Sequence, residues 1–121
     1  MQDWSASTEP ARLDVIVGSG FAGLSAAIEA HDAGASVKIF EKMDKPGGNS
    51  WINGGQVAAA GSALQKKLGI TDSPELMYKD MLAAGLNLNY PRLARIVAEQ
   101  SSDTVEWTEK RVGAKYIEFQ A

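Results

Sequence analysis

Gly18, Gly20 and Gly23 spell G-x-G-x-x-G directly after the apolar run Val15-Ile16-Val17, and an amphipathic helical pattern begins at once. No other feature narrows the possible folds as much, because each glycine removes a side chain where the backbone has no room for one. Gly18 turns the chain out of a strand, Gly20 lets the backbone approach a pyrophosphate, and Gly23 lets a helix lie close against the sheet. Unpaired N–H groups and a partial positive charge at the start of that helix make an anion site that needs no lysine. The spacing predicts a strand over Leu13–Val17, a helix in which Ala27 extends the small face of Gly23, a helix end at Gly34, and a second strand over Val37–Phe40. Glu41 stands at the carboxyl end of that second strand, where a carboxylate accepts hydrogen bonds from ribose 2′- and 3′-hydroxyls and repels a 2′-phosphate.

A second glycine-rich stretch follows the acid: Glu41-Lys42-Met43-Asp44-Lys45-Pro46-Gly47-Gly48-Asn49-Ser50, then Asn53-Gly54-Gly55-Gln56. Nicotinamide binding does not require it. With these blocks the chain resembles the flavoprotein subunits of the fumarate reductase and succinate dehydrogenase family, and within it the soluble flavocytochrome c type of fumarate reductase. The likeness continues through Gly69-Ile70-Thr71-Asp72-Ser73-Pro74-Glu75-Leu76-Met77 and Asp103-Thr104-Val105-Glu106-Trp107. It implies an α/β fold: a Rossmann-like FAD-binding βαβ unit of the glutathione reductase type, followed by helices.

The resemblance also assigns positions. Gly18, Gly20, Ala22 and Gly23 would line the FAD pyrophosphate, Glu41 would bind the adenosine ribose, and Ser19 and Lys42 would be further cofactor-binding residues. Gly48, Asn49 and Ser50 would run along the pyrophosphate and ribityl chain, and Gly54 and Gly55 would pass near the reactive N5 edge of the flavin. Backbone without side chains can present N–H donors to a flavin that gains negative charge on reduction. Membrane-bound relatives attach FAD through a histidine in this region. Here Trp51 and Ile52 separate Ser50 from Asn53 and the second glycine pair, and the sole histidine, His31, lies on the first helix, so noncovalent FAD is expected.

Length sets a limit on the reading. A chain of 121 residues suffices for one core, but two parallel strands need further neighbours and cover on both faces. Residues 1–12 are expected to be a flexible segment. Residues 13–121 are expected to be the amino-terminal part of an FAD-binding domain, incomplete as given, with Tyr116 to Ala121 resembling an element cut short. The net charge of −3 is scattered and forms no basic stripe for nucleic acid. The absence of cysteine excludes disulfides and thiolate metal sites, and no metal site is expected. No apolar run reaches the ~20 residues of a membrane span. The polar start, Met1 to Ala11, does not read as a signal peptide and is compatible with the tail left after one is removed, so periplasm and cytoplasm both stay open.

After Gly55 the pattern turns helical. A helix is expected from Gln56 to Leu68, ended by Gly69, and another from Asp72-Ser73-Pro74, capped by Asp72 or Ser73, with Tyr78, Met81 and Leu82 inward and its end at Gly85. A third opens at Asn89-Tyr90-Pro91 with Leu93, Ile96 and Val97 inward, and a restart at Ser101 or Ser102 carries Val105, Thr108 and Val112. Asp103, Glu106, Glu109, Lys110 and Arg111 read as a solvated face, and Trp107 and Tyr116 as packing aromatics. Arg92 and Arg95 have the chemistry of carboxylate clamps. The family, however, places its substrate arginines and proton donor further downstream, so no catalytic side chain is assigned. The activity implied is reduction of the carbon–carbon double bond of fumarate or a related unsaturated carboxylate by hydride from flavin N5, with a haem domain or cytochrome as electron donor. A ketosteroid-dehydrogenase-like flavoenzyme and a nonenzymatic nucleotide-binding module are the competing readings.

Overall fold

The computed structural model describes residues 13–117; the predicted flexible start and the last four residues lie outside them. The chain divides after Gln56 into two compact units.

The first unit is a βαβ motif. Strand β1 (Leu13–Val17) pairs in parallel with β2 (Ser36–Phe40), in the register Ile16 to Ile39 and Val17 to Phe40, and helix α1 (Phe21–Asp32) connects them. This matches the sequence expectation to within one residue. Period-2 alternation points Asp14, Ile16, Val37 and Ile39 to the face that α1 covers. Leu13, Val15, Val17 and Phe40 point the other way and are exposed, with Val17 at 84%. A parallel pair is normally buried on both faces, and the described residues of this unit cover only one face. Helix α1 ends as Gly34 predicts: Gly34 N–H donates to His31 O and Ala35 N–H to Ala30 O, which satisfies two otherwise orphaned carbonyls.

The close approach of α1 to the sheet depends on Gly23. A Cβ there would lie 2.0 Å from Gly18 O and 3.4 Å from the Ile16 side chain. The Gly18 backbone is not free to give way, since its own N–H is held on Phe40 O at 2.7 Å.

The second unit, from Val57, holds helices α2 (Ala63–Lys67), α3 (Pro74–Ala84) and α4 (Pro91–Val112), with α3 packed on α4. Three expectations fail here. The helix predicted from Gln56 to Leu68 is only Ala63–Lys67, because Ser62 caps it by accepting from Gln65 N–H, and the chain before it is committed elsewhere. Ala59 and Ala60 are buried in non-helical backbone, and Ala60 N–H donates to Ser101 Oγ at 3.1 Å. That bond explains the second failure. Ser101 does not restart a helix; α4 runs unbroken through it, and its hydroxyl serves Ala60 and Ala98 O instead of a helix start. Third, the buried face of α4 is Ala94 and Ala98, whereas Leu93, Ile96 and Val97 are 58%, 41% and 50% exposed. Alanines four apart let a neighbouring element approach more closely than leucine would.

Other expectations hold. Ser73 is the cap of α3, accepting from Leu76 N–H at 3.1 Å, with Pro74 in the first turn. Gly69 and Gly85 end α2 and α3. Tyr78, Met81 and Leu82 are half-buried. Asp103, Glu106, Glu109, Lys110 and Arg111 are exposed, and Tyr116 OH bonds to Thr108 Oγ1 at 2.7 Å as a packing aromatic.

Replacing Gly23 by alanine should lower stability by about 1–3 kcal/mol, the usual cost of forcing atoms into filled space. A urea midpoint equal to that of the parent would contradict the close approach.

Candidate cofactor site

Three segments of the first unit converge at the carboxyl ends of β1 and β2: the turn Gly18–Gly20, the stretch Glu41–Gly47, and a 3₁₀ turn over Gly48–Ile52. Gly18 takes φ +93° and Gly47 φ +109°, a region that side-chain-bearing residues rarely enter, so both bends require glycine. Around them lies an open cavity of about 630 Å³, walled by Gly18, Ser19, Gly20, Glu41, Lys42, Gly48 and Asn49 among others. All seven are expected site residues. Of the other five, Ala22 and Gly23 lie in the first turn of α1, and Ser50 faces that turn with its hydroxyl. Gly54 and Gly55 are exposed beyond the 3₁₀ turn, outside the cavity wall.

Gly20 gives α1 no side-chain cap of its own and the first turn carries no acid, which favours an incoming anion at the positive end of the helix. Ser50 Oγ accepts from Phe21 N–H at 3.0 Å, which ties the 3₁₀ turn to the start of the helix. A Cβ on Gly20 would stand 3.4 Å from that same hydroxyl and 3.7 Å from Gly47 O, so glycine is what leaves backbone bare at this point.

Glu41 is held by three close donors, with a weaker contact from the Lys42 amide. Its Oε2 accepts from Ser19 N–H at 3.0 Å and from the Ser19 hydroxyl at 2.5 Å, and its Oε1 accepts from Met43 N–H at 2.9 Å. The Ser19 hydroxyl, then the Met43 and Ser19 amides, favour the charged form and bring its pKa down to about 2. Because the shift is downward, whatever the ionised carboxylate contributes is complete above the ordinary carboxylate range and is lost only as pH falls toward that value.

Several members of the site were not legible beforehand. Val17, Phe40, Met43, Asp44, Lys45, Pro46 and Trp51 also wall the cavity. The Gly47 N–H donates to Ser19 Oγ at 2.9 Å, joining the two glycine blocks. Asn53 accepts from Gly55 N–H at 2.6 Å and donates to Ser50 O, which shapes the approach to the second glycine pair. An asparagine two residues before a glycine is a turn signal of the kind that could have marked it. Outside this unit, Arg95 is engaged structurally: it pairs with Glu75 Oε2 at 2.5 Å and lies 3.6 Å from the centroid of the Tyr78 ring. His31 is exposed on α1, as expected. Among the described residues no cluster of metal-ligating side chains occurs.

This geometry is matched by known proteins. A family model described as the FAD binding domain covers residues 14–121. The chain belongs to that family. FAD is accordingly its cofactor. A fumarate reductase (cytochrome) of Shewanella frigidimarina is 47% identical over 93 residues, which is 77% of this chain and 16% of that protein. The open conformation of a flavocytochrome c3 fumarate reductase superposes with a TM-score of 0.75 at 36% identity, over 87% of this chain and 18% of the other. A 3-ketosteroid-delta4-(5alpha)-dehydrogenase from Rhodococcus jostii RHA1 gives 0.69 at 34% identity, over 90% and 23%. The chain thus spans between 16% and 23% of the length of these three proteins. The α/β fold and the resemblance to flavocytochrome c type fumarate reductases are both borne out by these matches.

The residues present fit the FAD of the family: bare backbone at Gly20, a helix start without a cap from its own N-terminal residue, and a carboxylate held ionised beside both. Glu41→Ala should lower FAD affinity by about ten- to a hundredfold, the range for losing charge-assisted hydrogen bonds. Fluorescence titration checks this, and an unchanged dissociation constant would remove Glu41 from the site.

Proposed function

We propose that this chain is the FAD-binding part of a flavoprotein oxidoreductase that reduces the carbon–carbon double bond of fumarate or a related unsaturated carboxylate. Bound FAD would supply hydride from N5 to one alkene carbon. The residues of this chain would do the holding. Gly18, Gly20, Ala22 and Gly23 would admit the pyrophosphate to the positive end of α1. Glu41, with Ser19 beside it and Lys42 after it, would engage the adenosine ribose, and Gly48, Asn49 and Ser50 would follow the pyrophosphate and ribityl chain. Gly54 and Gly55 would come to the flavin itself.

The observation that carries this reading is the cradle at the head of α1, in a chain 47% identical over 93 residues to a fumarate reductase. The 3₁₀ turn contains Trp51 and no histidine, which supports noncovalent attachment. No catalytic side chain is assigned to this chain; of its two candidate carboxylate clamps, Arg95 is engaged by Glu75 and Tyr78 and Arg92 is exposed on α4. The likeness to a ketosteroid dehydrogenase, at a TM-score of 0.69, supports a second reading in which the same FAD unit serves oxidation of a steroid ring. A small-molecule acceptor and a haem-bearing donor are the partners the first reading implies. Among the described residues no helix is long and apolar enough to cross a membrane.

The test is turnover by the protein expressed from its complete reading frame. Reduced viologen dye should be oxidised when fumarate or acrylate is supplied, and acid precipitation should leave all the FAD in solution. Reduction of an oxidised acceptor dye, supplied in a parallel assay and coupled to dehydrogenation of 3-ketosteroids, with none of the alkene acids consumed, would select the second reading. Failure to take up FAD would overturn both.

A further inference from the structure

Ser19 stands out as a buried polar residue, 3% exposed, in a unit whose strands and site are largely open. Both of its donors, the amide and the hydroxyl, go to one oxygen of Glu41, and its hydroxyl oxygen also accepts from Gly47 N–H at 2.9 Å. One side chain therefore connects the first glycine turn, the acid 22 residues later and the second glycine block 28 residues later. A ligand oxygen that needs a donor, such as a phosphate oxygen, would find both donors of Ser19 already engaged.

We propose that Ser19 is a positioning residue of the adenosine site: its hydroxyl fixes Glu41 and the Gly47–Gly48 segment in the arrangement that the cofactor meets, and does not itself touch the cofactor. The lone-pair count sets the outcome. A carboxylate offers about four acceptor positions; Ser19 takes two on Oε2 and Met43 takes one on Oε1. Ser19 thus engages Oε2 twice and turns Oε1, the less engaged oxygen, toward the ribose, while the Lys42 amide adds a weaker contact to the carboxylate. By accepting from Gly47 N–H, the same hydroxyl anchors the bend that leads into the 3₁₀ turn, whose Ser50 reaches the head of α1. This proposal rests on the FAD reading above.

The charged groups sharing the cavity wall with Glu41 are Lys42, Asp44 and Lys45, all on its own segment. The first turn of α1 brings no acid, the 3₁₀ turn Gly48–Ile52 has no titratable side chain, and the acid of β1, Asp14, sits at the far end of that strand. The Ser19 hydroxyl is the largest influence keeping Glu41 ionised.

The experiment measures affinity for ADP and for FAD in the protein from its complete reading frame, apo form, at neutral pH and near pH 3.5. It compares the parent, Ser19→Ala, Ser19→Cys and Glu41→Gln. Taking ratios between variants cancels the titration of adenine itself. Ser19→Ala should bind several-fold more weakly than the parent at neutral pH, and the gap should widen by about two- to fourfold on acidification, as the Glu41 pKa climbs toward the ordinary ~4. Ser19→Cys, similar in size with a weaker donor, should fall between. Glu41→Gln should show no such widening. A constant Ser19→Ala to parent ratio across pH would mean a merely structural serine and would overturn the proposal. So would unaltered affinity. Should alanine prevent folding, the cysteine variant reads the same pH response. A parent that binds neither ADP nor FAD would instead defeat the FAD reading, which separates the two failures.

Discussion

The site depends on how tightly the chain turns between β1 and α1. Gly18 leaves the strand with its N–H on Phe40 O, and its own carbonyl then occupies the space a Cβ on Gly23 would need, 2.0 Å away. Helix α1 can start that close to the sheet only because glycine stands there. Its N-terminus consequently emerges level with the ends of both strands, where Glu41 also lies. The positive helix end and the ionised carboxylate are thus neighbours by construction, one suited to phosphate and the other to ribose hydroxyls.

Hydrogen bonds then set the finer arrangement. Ser19 and Ser50 are separated by 31 positions, yet each joins the glycine turn to the second glycine block, one through Gly47 N–H and the other through Phe21 N–H. Neither bond is visible in a one-dimensional pattern. The sequence did disclose both glycine blocks, the acid, the two strands and the ends of α1 and α3, because those follow from local rules: glycine at tight turns, an acid after a strand, serine before proline at a helix start. Seven of the twelve expected site residues wall one cavity for that reason.

What was not legible depended on contacts between distant residues. Gln56 to Leu68 has helical composition, but Ala60 N–H is taken by Ser101, forty-one positions away, and the helix shrinks to Ala63–Lys67. The same hydroxyl looked like a helix start when it was a mid-helix acceptor. Leu93, Ile96 and Val97 looked inward by hydrophobicity, whereas close packing selected Ala94 and Ala98. The exposed face of β1 is a related case. Val15 and Val17 are apolar as in any doubly covered parallel sheet, but the described residues of the unit holding them cover only one side, in a chain spanning 16% to 23% of the proteins it matches.

The central claim is that the head of α1 and Glu41 together receive the adenosine diphosphate half of FAD. A crystal structure of the protein with FAD bound tests it most directly. The pyrophosphate should lie against the backbone of Gly20, Ala22 and Gly23, with a ribose hydroxyl on Glu41 Oε1 and Ser19 still bonded to Glu41 and Gly47. A pyrophosphate bound away from the α1 N-terminus, or a ribose that leaves Glu41 uncontacted, would contradict it.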